Sequence, residues 1–154
     1  MSPMVENKNV QNMVLKRVNK TNLSLLEGSL FRDGKRFGAS RVVLTTFRSL
    51  KRELKQPVSE LLSLSILNAY PYVTLRSKKV GGSLYQIPIH LNEEKQDSIA
   101  LKWLATSCGT KLGSRFQCLK KELAAAVSNE GVAVQKKKAL HTLAVANRAY
   151  IKYL

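Results

Sequence analysis

The spacing of apolar residues changes once along this chain and then changes back. Up to Tyr70, and again from about residue 96, hydrophobic side chains recur every three or four positions. Between about residues 72 and 91 they alternate instead. Val73 and Leu75 alternate with Thr74 and Arg76; beyond Gly81-Gly82, Tyr85, Ile87, Ile89 and Leu91 alternate with Leu84, Gln86, Pro88 and His90. A period near 3.6 marks a half-buried helix and a period of 2 marks a strand. Two alternating runs joined by Gly-Gly read as a β-hairpin. A lone two-stranded hairpin cannot sustain itself in water, so the chain must be a helical body that carries one. Pro88 cannot donate to a ladder, which places it on an edge strand, and both strands of a ribbon are edges.

The helical parts predict six helices in a mainly α, single domain over residues 21–154, with the hairpin between the third and fourth. Leu23, Leu26 and Leu30 give a helix from Asn22 that ends at Asp33-Gly34. Residues 38–54 give a second, with Ala39, Val43, Phe47, Leu50 and Leu54 as its stripe and Arg41, Arg48, Lys51, Arg52 and Lys55 elsewhere on it. Pro57 at a first helical position opens the third, lined by Val58, Leu62, Ile66 and Tyr70 and stopped by Pro71. Residues 96–107 carry Ile99 and Trp103 and the parallel pair Ala100 and Leu104. Ser114 and Gln117 have capping-box spacing before the stripe Phe116, Leu119, Leu123 and Val127, with Gly131 as its end. A last helix is predicted over 133–150, with Leu140, Leu143, Ala144, Asn147 and Ile151 inward. Residues 1–20, rich in Asn and basic at Lys16, Arg17 and Lys20, read as an extended arm whose three cations are candidate RNA-binding residues.

Charge narrows the function. Lys and Arg number 26 against 10 acids among 154 residues, a formal charge of +16. Residues 61–92 contain three cations and no acid, and the rest of the excess is divided between the two flanks. A folded body with several basic surfaces points to nucleic acid before membrane or acidic protein. No apolar run approaches the ~20 residues of a membrane span. The longest, Leu61 to Leu67, is interrupted by Ser63 and Ser65. Cys108 and Cys118 form no CxxC pair, and His90 and His141 complete no zinc spacing with them. The start of the chain has neither a secretory apolar region nor an Arg/Ser-rich presequence. No phosphate-binding glycine loop is present, and the acids Glu93, Glu94 and Asp97 have no neighbouring His, so no catalytic centre, cofactor or small-molecule substrate is expected.

Three basic constellations are candidate RNA-binding sites. The first is Arg32, Lys35, Arg36 and Arg41 around Asp33-Gly34, where the next helix start adds backbone donors for phosphate. The second is the hairpin tip: Arg76, Lys78, Lys79, Gly81 and Gly82, with Tyr72 and Tyr85 either stacking on bases or packing the ribbon. The third is Lys136, Lys137 and Lys138, with Lys137, His141 and Arg148 on one helical face and Asn147 and Tyr150 extending it. Each has a plainer reading: a solvated turn, Lys protection of an edge strand, and a solubilising helix face.

The run from Arg76 to Ile89, RSKKVGGSLYQIPI, resembles the signature of the bacterial-type small-subunit ribosomal protein seven family. So do Ala100 to Leu104, the turn Phe31 to Arg36, and Gly131 to Lys138 followed by His141, Ala144 and Ala146 to Tyr150. The resemblance runs from about residue 22 to the end. It implies a six-helix body with a protruding ribbon and no catalytic activity. It implies binding to the 3′ major domain of small-subunit rRNA, nucleation of head assembly, and a ribbon at the exit site for tRNA and mRNA. Neighbouring head and platform proteins would be its other partners. The Asn-rich, partly acidic start and the acids Glu93, Glu94 and Asp97 depart from the family pattern. That drift points to a mitochondrial ribosome, with bacterial cytoplasm or plastid as alternatives. A free helical DNA- or RNA-binding regulator is the competing reading.

Overall fold

A computed structural model of the chain describes residues 20–30, 33–107 and 114–154. Among them are six α-helices: α1 (Lys20–Leu30), α2 (Arg36–Leu54), α3 (Val58–Ala69), α4 (Glu93–Thr106), α5 (Arg115–Val127) and α6 (Val132–Ala146). A 3-10 helix, Arg148–Tyr153, follows α6. Strands β1 (Val73–Val80) and β2 (Ser83–His90) form an antiparallel hairpin between α3 and α4. The arm expected over residues 1–20 lies outside the described residues, apart from Lys20, which opens α1.

Helix α3 lies at the centre. Leu61, Leu62, Ser63, Ser65, Ile66 and Ala69 are all buried. The two serines that interrupt its apolar run satisfy their hydroxyls locally. Ser63 donates to the Ser59 carbonyl at 2.9 Å and Ser65 to that of Leu61 at 2.7 Å. Around α3, α2 presents Ala39, Val43, Thr46, Phe47 and Leu50, while α5 presents Leu119, Leu123 and Ala126. α5 packs on both α2 and α3, and α1 packs chiefly on α4 and buries Leu26 and Leu30 in the core. Each fully buried Leu or Ile contributes roughly 1.5–3 kcal/mol.

Several boundaries differ from the sequence expectation. Pro57 stands just outside α3 as its N-cap, with ψ 143°. Pro71 acts as expected: it holds Tyr70 extended at ψ 136° and ends the helix. α4 starts at Glu93, three residues early, because Asn92 is extended and Glu93 and Glu94 place carboxylates at the positive helix end. Of its two candidate stripes the one with Ala100 and Leu104 faces inward, and Ile99 and Trp103 are half-buried. Ser114 precedes α5 without a side-chain capping bond, so the expected capping box is not formed. Leu54, at the end of α2, is exposed rather than part of the stripe.

Gly131 does not terminate α5. That helix closes on Asn129 in the left-handed region, φ 60°, with Glu130 N–H donating to the Ala125 carbonyl at 2.8 Å and Asn129 N–H to Ala126 at 3.1 Å. Gly131, φ 97°, is the N-cap of α6. It has no side chain to cap with, and the buried Glu122 of α5 supplies the acceptor: Ala133 N–H donates to Glu122 Oε1 at 2.8 Å. A Cβ at Gly131 would stand 3.0 Å from that same oxygen, so the glycine is needed for both its φ and the close approach.

The single helix expected over 133–150 is two pieces. α6 stops at Ala146, and Asn147, at φ −91° and ψ 7°, leads into the 3-10 helix. The inner face is also rotated from the expected one. Leu143 and Ile151 are exposed, and Ala133, Val134 and Ala144 are the buried residues. Lys137 and His141 share that inward side, so two polar residues hide it from a reading of apolar period.

Both meet the base of the ribbon. Tyr72 N–H donates to His141 Nε2 at 3.2 Å, and Lys137 Nζ donates to the Asn68 carbonyl at 3.1 Å. The ammonium also lies 5.1 Å from the Tyr70 ring centroid and 5.8 Å from that of Tyr72, a cation–π arrangement. Burial, reinforced by Lys138, lowers the Lys137 pKa. Burial, reinforced by Lys137, lowers that of His141. The ribbon itself turns through Gly81 and Gly82, both at positive φ (57° and 87°), as a two-residue type I′ turn requires. Leu91 N–H donates to the Tyr72 carbonyl. Alternation from that pair makes Leu75–Pro88 a non-hydrogen-bonded pair, so the proline removes no ladder bond.

Two stability outcomes are expected. Glu122→Ala leaves the Ala133 amide buried without its acceptor and should lower stability by about 1–3 kcal/mol. Glu122→Gln, which keeps an acceptor oxygen, should lose less; urea denaturation of the three proteins checks this. For His141, a lowered folded pKa means the unfolded chain takes up the proton first. The stabilising contribution is full above the unfolded value of about 6.5 and declines as pH falls from there to the lowered folded value. Wild type should therefore lose more stability between pH 8 and pH 5 than His141→Gln, measured by urea midpoints at both pH values.

Candidate nucleic-acid interface

The first basic constellation surrounds the α1–α2 connection. Asp33 and Gly34 are both left-handed, φ 55° and 73°, and reverse the chain. Arg36 N–H closes the turn on the Gly34 carbonyl at 2.8 Å. Lys35, Arg36 and Arg41 are exposed, and no side chain caps the start of α2. The Arg41 guanidinium lies over the Phe37 ring, 5.6 Å from its centroid. Arg32 lies outside the described residues, as do Lys16 and Arg17.

In the ribbon, the register separates residues that are adjacent in sequence. Arg76 and Lys78 pair with Ile87 and Tyr85 and share their face, while Lys79 pairs with Leu84 on the other. The first face is partly covered by the 3-10 helix. Tyr85 packs between Tyr150 and Tyr153, with ring centroids at 5.0 Å and 5.3 Å. Lys78 Nζ donates to the carbonyls of Tyr153 and Leu154 at 2.7 Å and 2.9 Å. Arg76 remains exposed at the rim of an open cleft of about 260 Å³, lined also by Ser77, Ile87, Ile89 and Leu154. Lys79, Gly81 and Gly82 are exposed, and a Cβ on either glycine would meet nothing within 4 Å. Nothing in the described residues crowds the tip, so another molecule's backbone can approach it closely.

The third constellation divides. Lys137 and His141 hold the ribbon base, and Tyr150 belongs to the tyrosine cluster. Lys138 and Arg148 are exposed, Lys136 and Asn147 half-buried. Arg148 stands in the 3-10 helix rather than on α6. Of the three constellations, the outward cations thus lie at the first turn, on the ribbon at Arg76 and Lys79, and along α6 at Lys138 with Arg148 beyond it. Lys20 begins α1.

Residues that sequence reasoning passed over are those that position the ribbon. Asn68, in the last turn of α3, donates through Nδ2 to the carbonyls of Ala126 and Val127 at 2.8 Å and 3.2 Å, and its own carbonyl receives Lys137. Tyr153 closes the tyrosine cluster. Neither lies on an apolar stripe or in a basic run, so neither left a periodic signal. Among the described residues, no group of three His, Cys, Asp or Glu side chains is placed to hold a metal ion, and no helix is long and apolar enough to cross a membrane. Cys118 is half-buried and packs against the core.

Comparison with known proteins places this geometry. The family described as ribosomal protein S7p/S5e matches residues 3–148. The small ribosomal subunit protein uS7 of Petrotoga mobilis is 36% identical over 132 residues, covering 85% of each chain. The protein of the same name from Bartonella tribocorum is 34% identical over 122 residues, covering 79% of this chain and 78% of its own. That of Thermotoga neapolitana is likewise 34% identical over 122 residues, covering 79% of both. With nearly its whole length matched, this chain belongs to the ribosomal protein S7p/S5e family.

Proposed function

We propose that this chain, a structural constituent of the small ribosomal subunit, binds the 3′ major domain of its rRNA, nucleates assembly of the head and lines the exit site for tRNA and mRNA. As a member of its family it is a structural protein and not an enzyme. The observation that carries the finer reading is the ribbon. Its base is pinned by Lys137, His141 and the Tyr70–Tyr72 pair, whose hydroxyls are 2.8 Å apart. Its far end is thin, basic and unobstructed. A formal charge of +16 supplies the sequence-independent attraction to phosphate. Specificity then comes from the fit of fixed surfaces to folded RNA rather than from reading duplex bases. The departures at Glu93, Glu94 and Asp97 favour a mitochondrial ribosome over a bacterial or plastid one.

Sedimentation of source lysate at low and at high salt tests this directly. Retention with the small subunit at high salt is the expected result. Migration at the top of the gradient under both conditions would support the free nucleic-acid-binding regulator instead. Within assembled subunits, the double variant Arg76→Glu and Lys79→Glu should reduce exit-site tRNA occupancy while leaving incorporation of the protein near normal. Unchanged occupancy and unchanged reading-frame maintenance would argue against a ribbon at that site.

A further inference from the structure

We propose that the outward face of α2 is a further RNA-contact surface, which takes the phosphates of a single-stranded RNA segment along its length and stacks an unpaired base on Phe37. The proposal rests on the rRNA-binding reading above and extends the first constellation from Arg41 to Phe37, Arg48, Lys51 and Arg52, which the turn, the ribbon and α6 do not include.

Helical period sets Phe37, Arg41, Leu44, Arg48, Lys51 and Arg52 along one side of α2, opposite the buried Ala39, Val43, Thr46, Phe47 and Leu50. All six outward residues are exposed. At 1.5 Å per residue the four cations extend over roughly 16 Å of helix. The only acid on α2 is Glu53, and it forms an ion pair with Lys120 of α5. Among the described residues, none of the four cations forms an ion pair with a carboxylate. Arg48, Lys51 and Arg52 stand at the i, i+3 and i+4 spacings at which like charges destabilise a helix. A polyanion laid along the face removes that repulsion and releases its own counterions.

Phe37 makes the face more than a solubilising one. The residue is 79% exposed at the end of the basic track, with the Arg41 guanidinium over one side of its ring. An exposed aromatic beside a guanidinium is the pairing that holds a splayed base, whereas an A-form duplex offers no unstacked base to receive. Charge complementarity and the open ring together favour single-stranded RNA over an acidic protein surface.

The test uses the full chain with two probes, a 12-nucleotide oligoadenylate and a 20-base-pair RNA duplex, across a salt series. Arg48→Gln, Lys51→Gln and Arg52→Gln together should flatten the slope of log affinity against log salt for the oligoadenylate by about 2, at about 0.7 per phosphate. Lys95→Gln, Lys102→Gln and Lys121→Gln, three exposed lysines on α4 and α5, remove the same charge and should flatten it far less. Phe37→Ala should weaken the oligoadenylate about tenfold and leave the duplex unchanged. Thermal unfolding of each variant confirms that it folds. Equal flattening by both triple variants, or equal loss on both probes for Phe37→Ala, would overturn the proposal. So would unchanged RNA binding by the α2 triple variant with loss of its incorporation into subunits, which would assign the face to a protein. Failure of the wild-type chain to bind the oligoadenylate would overturn this proposal, whereas the rRNA-binding reading fails separately, by absence of the chain from small subunits on sedimentation.

Discussion

The burial of α3 is the contact on which the remainder of the molecule depends. Because this helix is packed against α2, α4, α5 and α6, its last turn has a fixed position, and three structures are tied to that turn. Asn68 receives Lys137 from α6 and donates to the final carbonyls of α5, while Tyr70 and Tyr72 lead into β1 beneath His141. A ribbon of two eight-residue strands is about 26 Å long, and small rotations at its base become large displacements at its tip. Clamping that base to the core fixes the direction in which the strands leave it. The 3-10 helix adds a second brace part of the way along, through Tyr85 and Lys78.

The acids are few, and several have structural work. Glu122 caps α6, Glu53 pairs with Lys120, and Glu93 and Glu94 complement the α4 dipole. With 10 acids against 26 cations, they leave most of the positive surface unneutralised. The chain therefore keeps a large unneutralised field while remaining stable, because its core is apolar and its cations point mostly outward. Affinity for a polyanion follows from that distribution more than from any one residue.

Much of this was readable in the sequence, for identifiable reasons. The change of period located the ribbon, its turn and its place after the third helix, because strand and helix periods differ so plainly. The apolar stripes located five helices nearly to their ends. The reading failed where polar side chains enter the interior. Lys137 and His141 occupy the inward side of α6, so the stripe inferred from Leu140, Leu143 and Ile151 pointed away from the contact. Gly131 follows a helix and resembles a stop signal, yet its task is set by Glu122, nine residues earlier and across a turn. Among the candidate RNA-binding residues, sequence gave no means of separating cations that face outward from those engaged within the chain. Lys78 and Lys137 are both of the second kind, and only the placement of Tyr153, Leu154 and Asn68 reveals it.

Pro88 has a role that ladder geometry implies beyond tolerance of its missing donor. At a non-hydrogen-bonded position the backbone nitrogen of β2 points away from β1. The outer edge of the ribbon therefore lacks one of the donors that an approaching strand would need. A ribosomal protein is synthesised before it meets its RNA, and an extended hairpin held out from a folded body is an obvious template for a second copy of itself. With that rung missing, two such ribbons cannot zip β2 to β2 along their full length. The residue that interrupts the strand makes the β2 edge a poorer template for such pairing.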